Sequence, residues 1–379
     1  FLVVDGWATL RGEFEDLDSM VSDLATRGLG YGIHLVAAAN RWMDVRPGMR
    51  DMFGVRIELR LAESADSLVN RRAALNVPEQ PGHGLTPDGL HFLAGLPRVD
   101  GQQRVDDLSD AVADLVKQFQ AGWTASPAPL VRLLPQKLEY EALPAPQGAR
   151  MPIGIAETDL QPVYVDFDAE PHLLLFGDIE CGKSSFLRGL ARSITRAHDP
   201  SQARIILVDF RRSLLGAVDT EHLIGYGTSQ QVVKDLVQQV ATAMKERLPG
   251  PGVTPEQLRN RSWWTGPSVY LLVDDYDLLS GAAGNPLAPL MEYLPQARDI
   301  GLHLVLTRRI GGAGRALFDP IIARVRELAS PGIMMSGPRE EGALFGTIKP
   351  QSMPPGRGWL FTRRDGARLV QLPWVPPTQ

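Results

Sequence analysis

Residues 172–190 read HLLLFGDIECGKSSFLRGL. A short apolar run, a turn opening at Gly177 and an amphipathic stretch from Lys183 predict a buried strand, a loop and a helix. The segment Gly177-Asp178-Ile179-Glu180-Cys181-Gly182-Lys183-Ser184 is a full match to G-x-x-x-x-G-K-S/T, the pattern of a phosphate-binding loop. The chemistry requires these residue types. Gly177 and Gly182 let the backbone turn tightly and bring its N–H groups against phosphate oxygens. A helix starting near Lys183 adds its positive dipole end. The Lys183 ammonium is suited to the β- and γ-phosphates of ATP, the Ser184 hydroxyl to Mg²⁺, and Ser185 to a place beside the α-phosphate. A thiol at a helix N-terminus, as at Cys181, can be acidified into a redox switch. The chain has a single cysteine, so nothing resolves an oxidised form. The plainer reading of Cys181 is a small residue at a variable loop position.

A nucleotide hydrolase also needs an acid at the end of a neighbouring strand and a group that orients the attacking water. The apolar run Val269–Val273 ends in Asp274-Asp275. Asp274 is the expected Mg²⁺ partner and Asp275 the water-orienting carboxylate. The alternative is a strand end with a solvated acidic turn. An Asp at the second position is shorter than a Glu and sits farther from the water. Thr307, closing the run His303–Thr307, is placed to hydrogen-bond the γ-phosphate or water. Asp209-Phe210-Arg211-Arg212 follows a third apolar run and belongs to the same sheet edge; either arginine can pair with Asp209 or face another subunit, as can Arg308 and Arg309.

Working outward, strands are expected at 163–167, 172–176, 204–208, 269–273 and 303–307, and helices at 183–197, 230–248 and 287–296. Strands alternating with helices imply an α/β fold whose mostly parallel sheet is covered on both faces. The N-terminal region looks like a second copy. Residues 1–36 align without a gap on residues 270–305, and nine of the 36 positions are identical, among them Asp5 with Asp274, Gly32 with Gly301 and His34 with His303. Gly82-His83-Gly84 then resembles Gly356-Arg357-Gly358, and Leu96-Pro97 resembles Leu372-Pro373. The expected organisation is a tandem of RecA-like P-loop NTPase domains with the first copy truncated: residues 1–104, a helix and Pro-rich linker over 105–147, and a complete domain over 148–379. The linker carries Pro127, Pro129, Pro135, Pro144 and Pro146, with Pro152 just beyond, and reads as semi-rigid. Copy one has Gly6 and Ala38 where copy two has Asp275 and Thr307, so copy one is expected to hydrolyse weakly or not at all. Its own phosphate loop is expected before Phe1.

Composition narrows the classes. Hydrophobic residues make up 44% and charged residues 22% of the chain, which excludes a mainly disordered protein. The net charge of −5 argues against a broadly basic nucleic-acid binder. No apolar run reaches the roughly 18 residues of a membrane-spanning helix. The seven histidines form no H-E-x-x-H pattern; His34 and His303 read as structural.

The runs GDIECGKSS, VDFRRSLLG, LLVDDYDLL and GLHLVLTRR, with RLLPQKLEYEAL and MPIGIAETDLQPVYVDF, together resemble the FtsK/SpoIIIE-type ATPase domains of the EccC family, the motor ATPases of type VII (ESX) secretion. The first-copy run RLAESADSLVNRRAALNVPEQPGHG fits as well, so the resemblance covers essentially the whole chain. It implies a membrane-anchored stalk outside this chain, on the cytoplasmic side of the cell membrane, followed by three ATPase domains. Residues 1–104 match the later part of the second domain and 148–379 the third. The family implies that these later domains hold ATP firmly and hydrolyse it slowly. Active FtsK relatives carry Glu at position 275, a departure in the same direction. Further implications are self-association into rings, contacts with other subunits of the secretion complex, and capture of the C-terminal signal of small helical-hairpin WXG-type substrates in an apolar pocket of the third domain. A groove is expected between a helix over 315–327, whose Asp319-Pro320 step marks a later or kinked start, through Leu317, Phe318, Ile321 and Ile322, and the helix over 287–296, through Leu290 and Leu294; the bland alternative is that both faces are core. The competing functions are a DNA translocase of the FtsK class and a non-catalytic ATP-bound scaffold.

Overall fold

The computed structural model describes residues 1–126, 132–279 and 284–378; Pro127 and Pro129 of the Pro-rich stretch lie outside them. The chain divides into two compact units, Phe1–Ala128 and Pro129–Gln379.

The second unit is built on a ten-stranded sheet. Across it the strands run Leu223–Gly227, Ala203–Val208, Ser268–Val273, Leu302–Arg308, His172–Phe176, Gly332–Met335, Arg357–Thr362, Gly366–Gln371, Arg150–Ala156 and Pro162–Asp166. The first six are parallel, and the last four join them antiparallel. Successive side chains of a strand leave on opposite faces. Leu174, Phe176, Ile206, Val208, Leu271, Val273, Leu304 and Leu306 therefore join one buried cluster, while Leu173, Leu175, Ile205, Leu207, Tyr270, Leu272 and Val305 join another. The helix Gln230–Glu246 covers the first face through Val233, Val237, Val240 and Met244. The helix Lys183–Ala197 covers the second through Phe186, Leu187, Leu190 and Ile194. Near-continuous apolar strands are what a sheet buried on both faces demands.

The helix expected over 287–296 does not form. Two 3-10 turns, Ala288–Leu290 and Leu294–Gln296, stand there instead. Pro289 and Pro295 explain the break, because proline removes the N–H and clashes with the preceding turn. The helix expected over 315–327 likewise divides into Ala313–Ala316 and Pro320–Glu327. Pro320 opens the second piece and the Asp319 side chain caps it, accepting from the N–H groups of Ile321 and Ile322. The apolar groove expected between these segments is corrected accordingly. Leu290, Leu294, Ile321 and Ile322 are fully buried in the core of the first face, and Leu317 packs half-buried against it. Phe318 alone points out, 86% exposed. The helical stripe is core, which is what an apolar face flanking a sheet usually becomes.

Part of the Pro-rich stretch belongs to this unit. Leu134, Leu138 and Tyr140 are buried. The short strand Leu138–Glu139 pairs in parallel with Pro373–Trp374, and the Tyr140 hydroxyl lies 2.8 Å from Ser193 Oγ.

The first unit repeats pieces of the second. Its strand Leu2–Val4 pairs in parallel with Leu35–Ala37, Leu2 opposite Leu35 and Val4 opposite Ala37. Leu271 opposite Leu304 and Val273 opposite Leu306 is the same register 269 residues on. Gly32 and Gly301 both hold positive φ, 74° and 69°, as do Gly6 at 74° and Asp275 at 46°. His83–Leu85 forms an antiparallel hairpin with His91–Leu93, as Arg357–Thr362 does with Gly366–Gln371. The repeated histidines differ, since His303 is buried and His34 is exposed. A 15-residue helix, Leu108–Gly122, closes the unit's described part.

Candidate nucleotide site

The phosphate loop connects the strand His172–Phe176 to the helix Lys183–Ala197 at the carboxyl edge of the parallel strands, where open α/β sheets bind their ligands. Flanking strands fix its start: the Gly177 N–H donates to the Arg308 carbonyl and the Asp178 N–H to the Ser336 carbonyl, at 3.1 and 2.9 Å. Gly177 has to be glycine, because a Cβ there would lie 2.4 Å from Cys181 Sγ. Gly182, at φ 116°, occupies a conformation that side chains avoid. Cys181 is buried with its sulfur 3.7 Å from Met335 Sδ. Burial pushes its thiol up to about 11, so the residue packs the loop and is not poised as a thiolate.

Lys183 is buried, and its Nζ donates to the Asp178 carbonyl at 2.9 Å and lies 3.6 Å from Asp275 Oδ1. Ser184 Oγ donates to Asp274 Oδ2 at 2.6 Å. The other oxygen of Asp274 accepts from Thr307 Oγ1, also at 2.6 Å. Thr307 belongs to the strand between the two that end in the phosphate loop and in Asp274. Burial raises the Asp274 carboxyl above its ordinary value, and the two hydroxyls oppose the shift. Asp275 is buried, with its N–H directed at both Thr307 Oγ1 and Asp274 Oδ1, 3.1 Å from each. Its Oδ2 pairs with Arg211 Nε at 3.0 Å.

These residues open on a cavity of about 880 Å³. Ile179, Glu180, Gly182, Lys183, Ser184 and Ser185 line it, together with Asp275, Arg211 and Arg309. Gly177, Asp178, Cys181, Asp274 and Thr307 are not among the lining residues; the three loop residues shape it from behind, and Asp274 and Thr307 stand behind Ser184 and Asp275 through their hydrogen bonds. The Ser185 hydroxyl is engaged elsewhere, accepting from the Val375 N–H at 2.8 Å. An all-oxygen pair of hydroxyl and carboxylate, Ser184 and Asp274, fits a hard divalent cation such as Mg²⁺.

Sequence reading missed the far wall. Pro354, Pro355 and Gly356 form one side of the cavity, and Leu372, Pro373 and Trp374 with Lys137 another. Lys137 Nζ sits 3.6 Å over the Trp374 ring. Arg188, also lining the cavity, donates through Nε and Nη2 to the Val375 carbonyl at 3.0 and 2.8 Å and through Nη1 to the Ser213 carbonyl at 2.8 Å. The signal for this wall was present. Gly356 and Leu372-Pro373 are the repeat landmarks shared with Gly82 and Leu96-Pro97, but nothing in the sequence says that they meet the phosphate loop.

Comparison with known proteins agrees with this geometry. A model of the FtsK/SpoIIIE family matches residues 3–100 and 148–248. The ESX secretion system protein EccC of Thermomonospora curvata is 51% identical over 374 residues, covering 98% of this chain and 28% of that protein. The ESX-4 secretion system protein EccC4 of Mycobacterium tuberculosis is 45% identical over 382 residues, covering the whole chain and 30% of that protein. The chain thus spans less than a third of the length of these two relatives. A solved structure of ATPases 2 and 3 of T. curvata EccC, in complex with a signal sequence peptide, superposes with a TM-score of 0.75 at 50% identity, covering 99% of this chain and 68% of that one. The phosphate loop, the sheet order around it and these likenesses agree: the chain belongs to the FtsK/SpoIIIE family of P-loop ATPase domains, in its EccC branch.

Proposed function

We propose that the second unit binds Mg²⁺-ATP in the cavity above the Gly177–Ser184 loop and serves as an ATP-holding, substrate-recognising part of a type VII secretion motor. One observation carries the reading. A complete phosphate loop sits between a parallel strand and a helix, with Ser184, Asp274 and Thr307 hydrogen-bonded in series at the same edge. Lys183 and the loop N–H groups would hold the phosphates, and Ser184 and Asp274 the metal, which supplies charge neutralisation at the β- and γ-phosphates. Residues 148–379 correspond in this reading to a third ATPase domain, and 1–104 to the end of a second. Turnover is slow, because Asp275 has the shorter carboxylate and is already paired with Lys183 and Arg211. The ring assembly, the other subunits and the cytoplasmic face of a membrane come with the family. Among the described residues no helix is long and apolar enough to cross a membrane. Substrate is a helical C-terminal signal, in line with the signal peptide bound to the T. curvata relative. Phe318 is the exposed remnant of the surface expected for it, beside a cavity lined by Tyr276, Gly312, Arg315 and Ala316.

The test is nucleotide affinity. Lys183→Ala should abolish Mg²⁺-ATP binding by calorimetry and remove the ATP-dependent rise in unfolding temperature, since a ligand of the native state stabilises it. A folded Lys183→Ala protein with unchanged affinity refutes the site.

A further inference from the structure

The carboxylate of Asp275 is held between two cations of the nucleotide cavity. Its Oδ2 lies 3.0 Å from Arg211 Nε and its Oδ1 3.6 Å from Lys183 Nζ. Oδ1 is buried and receives no hydrogen bond from the described residues. The backbone of Asp275 is fixed, with φ at 46° and its N–H directed at Thr307 Oγ1 and Asp274 Oδ1. Only the side-chain torsions remain, so the ionic partners decide where the carboxylate points. Lys183 is the partner that a triphosphate would draw away. Arg211 would remain, because its loop is anchored from below. The Asp209 carboxylate accepts from the N–H groups of Arg211 and Leu214, at 3.1 and 2.6 Å, and from the Tyr226 hydroxyl at 2.7 Å. The Arg211 side chain is 46% exposed and borders the same cavity.

We propose that Arg211 is a positioning residue that restrains Asp275, holding its carboxylate away from the attacking water so that bound ATP is kept and not spent. This rests on the reading of the site as an ATP site. In hydrolysis the water oxygen bonds to the γ-phosphorus as the bond to the β–γ bridging oxygen breaks. ADP leaves with that electron pair, and the water proton passes to Asp275. A carboxylate turned toward Arg211 points away from the attacking water. That misdirection slows the step without touching the phosphate contacts.

The experiment measures ATP hydrolysis, and ATP and ADP affinity, on the full chain for the wild type, Arg211→Gln, Arg211→Ala and Arg211→Lys, with circular dichroism confirming the fold. Arg211→Gln and Arg211→Ala should raise kcat roughly two- to fivefold, the range that releasing a half-exposed ion pair supports, with ATP affinity within about twofold of wild type. Arg211→Lys should stay near the wild-type rate, and Asp275→Asn added to Arg211→Gln should abolish the gain. An unchanged or lower kcat in both neutral variants overturns the restraint, as does a gain that survives Asp275→Asn. A loss of ATP affinity with ADP affinity kept would make Arg211 a γ-phosphate ligand and overturn it too. Wild type that binds no ATP refutes the underlying site, an outcome distinct from ATP that binds normally while kcat fails to rise.

Discussion

At the scale of single residues, Thr307 joins the two carboxylates. It is fully buried, donates to Asp274 Oδ1 and receives the Asp275 N–H. Thr307→Val keeps the volume and removes both bonds. It should cost about 1–3 kcal/mol, the penalty for stranding buried polar partners, measured as a shifted urea midpoint with an unchanged slope. Lys183, Ser184, Asp274 and Asp275 were legible in the sequence because phosphate chemistry fixes residue type at fixed spacing. The pairing of Arg211 with Asp275 was not: two arginines follow Asp209, and only the loop's path shows which one reaches the site. Position 275 holds a left-handed backbone in both copies. Gly6 adopts it without strain, whereas Asp275 adopts it at a cost, and Asp is among the few side chains that visit this region.

At the scale of elements, apolar runs located the central strands to within a residue or two, since a strand buried on both faces leaves no doubt about its character. Helix Lys183–Ala197 was legible end to end. Pro289 and Pro295 were the harder signal and broke up one expected helix, whereas the Asp319-Pro320 step already marked the later start of the other; the stripe expected to line a groove is core. Leu294→Arg, which a groove position would tolerate, should therefore unfold the second unit or destabilise it by about 4 kcal/mol or more, because an unpaired charge enters a packed core; thermal unfolding decides. Phe318→Glu should leave stability within about 0.5 kcal/mol and weaken binding of a helical signal peptide. The C-terminal segment was illegible as part of the site, because its contacts are local in space and distant in sequence. Ser185 and Arg188 both grip Val375, and Pro373–Trp374 forms a cavity wall. Deleting residues 373–379 leaves the Arg188 guanidinium without its main acceptor. The deletion should lower ATP affinity by about tenfold or more, about 1.4 kcal/mol, and lower the unfolding temperature as well.

At the scale of the whole molecule, the duplication rests on nine identities, and the repeated register of Leu2–Val4 and Leu271–Val273 shows why most of them persist: Leu2, Val4, Leu35 and Val36 are pairing positions and Gly32 a turn position of one shared motif. The opposite, amino-terminal edge of the large sheet contributes to the pH response. Two of its buried histidines, His172 and His303, are neutral in the fold. His172 Nδ1 accepts the Leu304 N–H at 3.2 Å, and its Nε2 lies 3.2 Å from the Leu294 carbonyl. A second proton at Nδ1 would face an N–H with no acceptor left. Burial lowers His172 to about 4. His303, stacked on Tyr270 with ring centroids 4.3 Å apart, is lowered to about 3 by burial first and by the neighbouring His172 second. The unfolded chain takes up these protons near pH 6.5 and the native state only near 4 and 3. Below pH 6.5 the unfolded state thus binds more protons, and stability falls as pH falls. These histidines' contribution is fully present above about pH 6.5 and is lost progressively down to about pH 4 and below, by on the order of a few kcal/mol at about 1.4 kcal/mol for each tenfold difference in proton affinity. Urea unfolding between pH 7.5 and 4.5, in the wild type and in His172→Gln, checks the account. Gln offers one donor and one acceptor but no titration, so a folded variant should show a shallower fall in stability across this interval. An equally steep fall would place the acid sensitivity on carboxylates elsewhere in the chain.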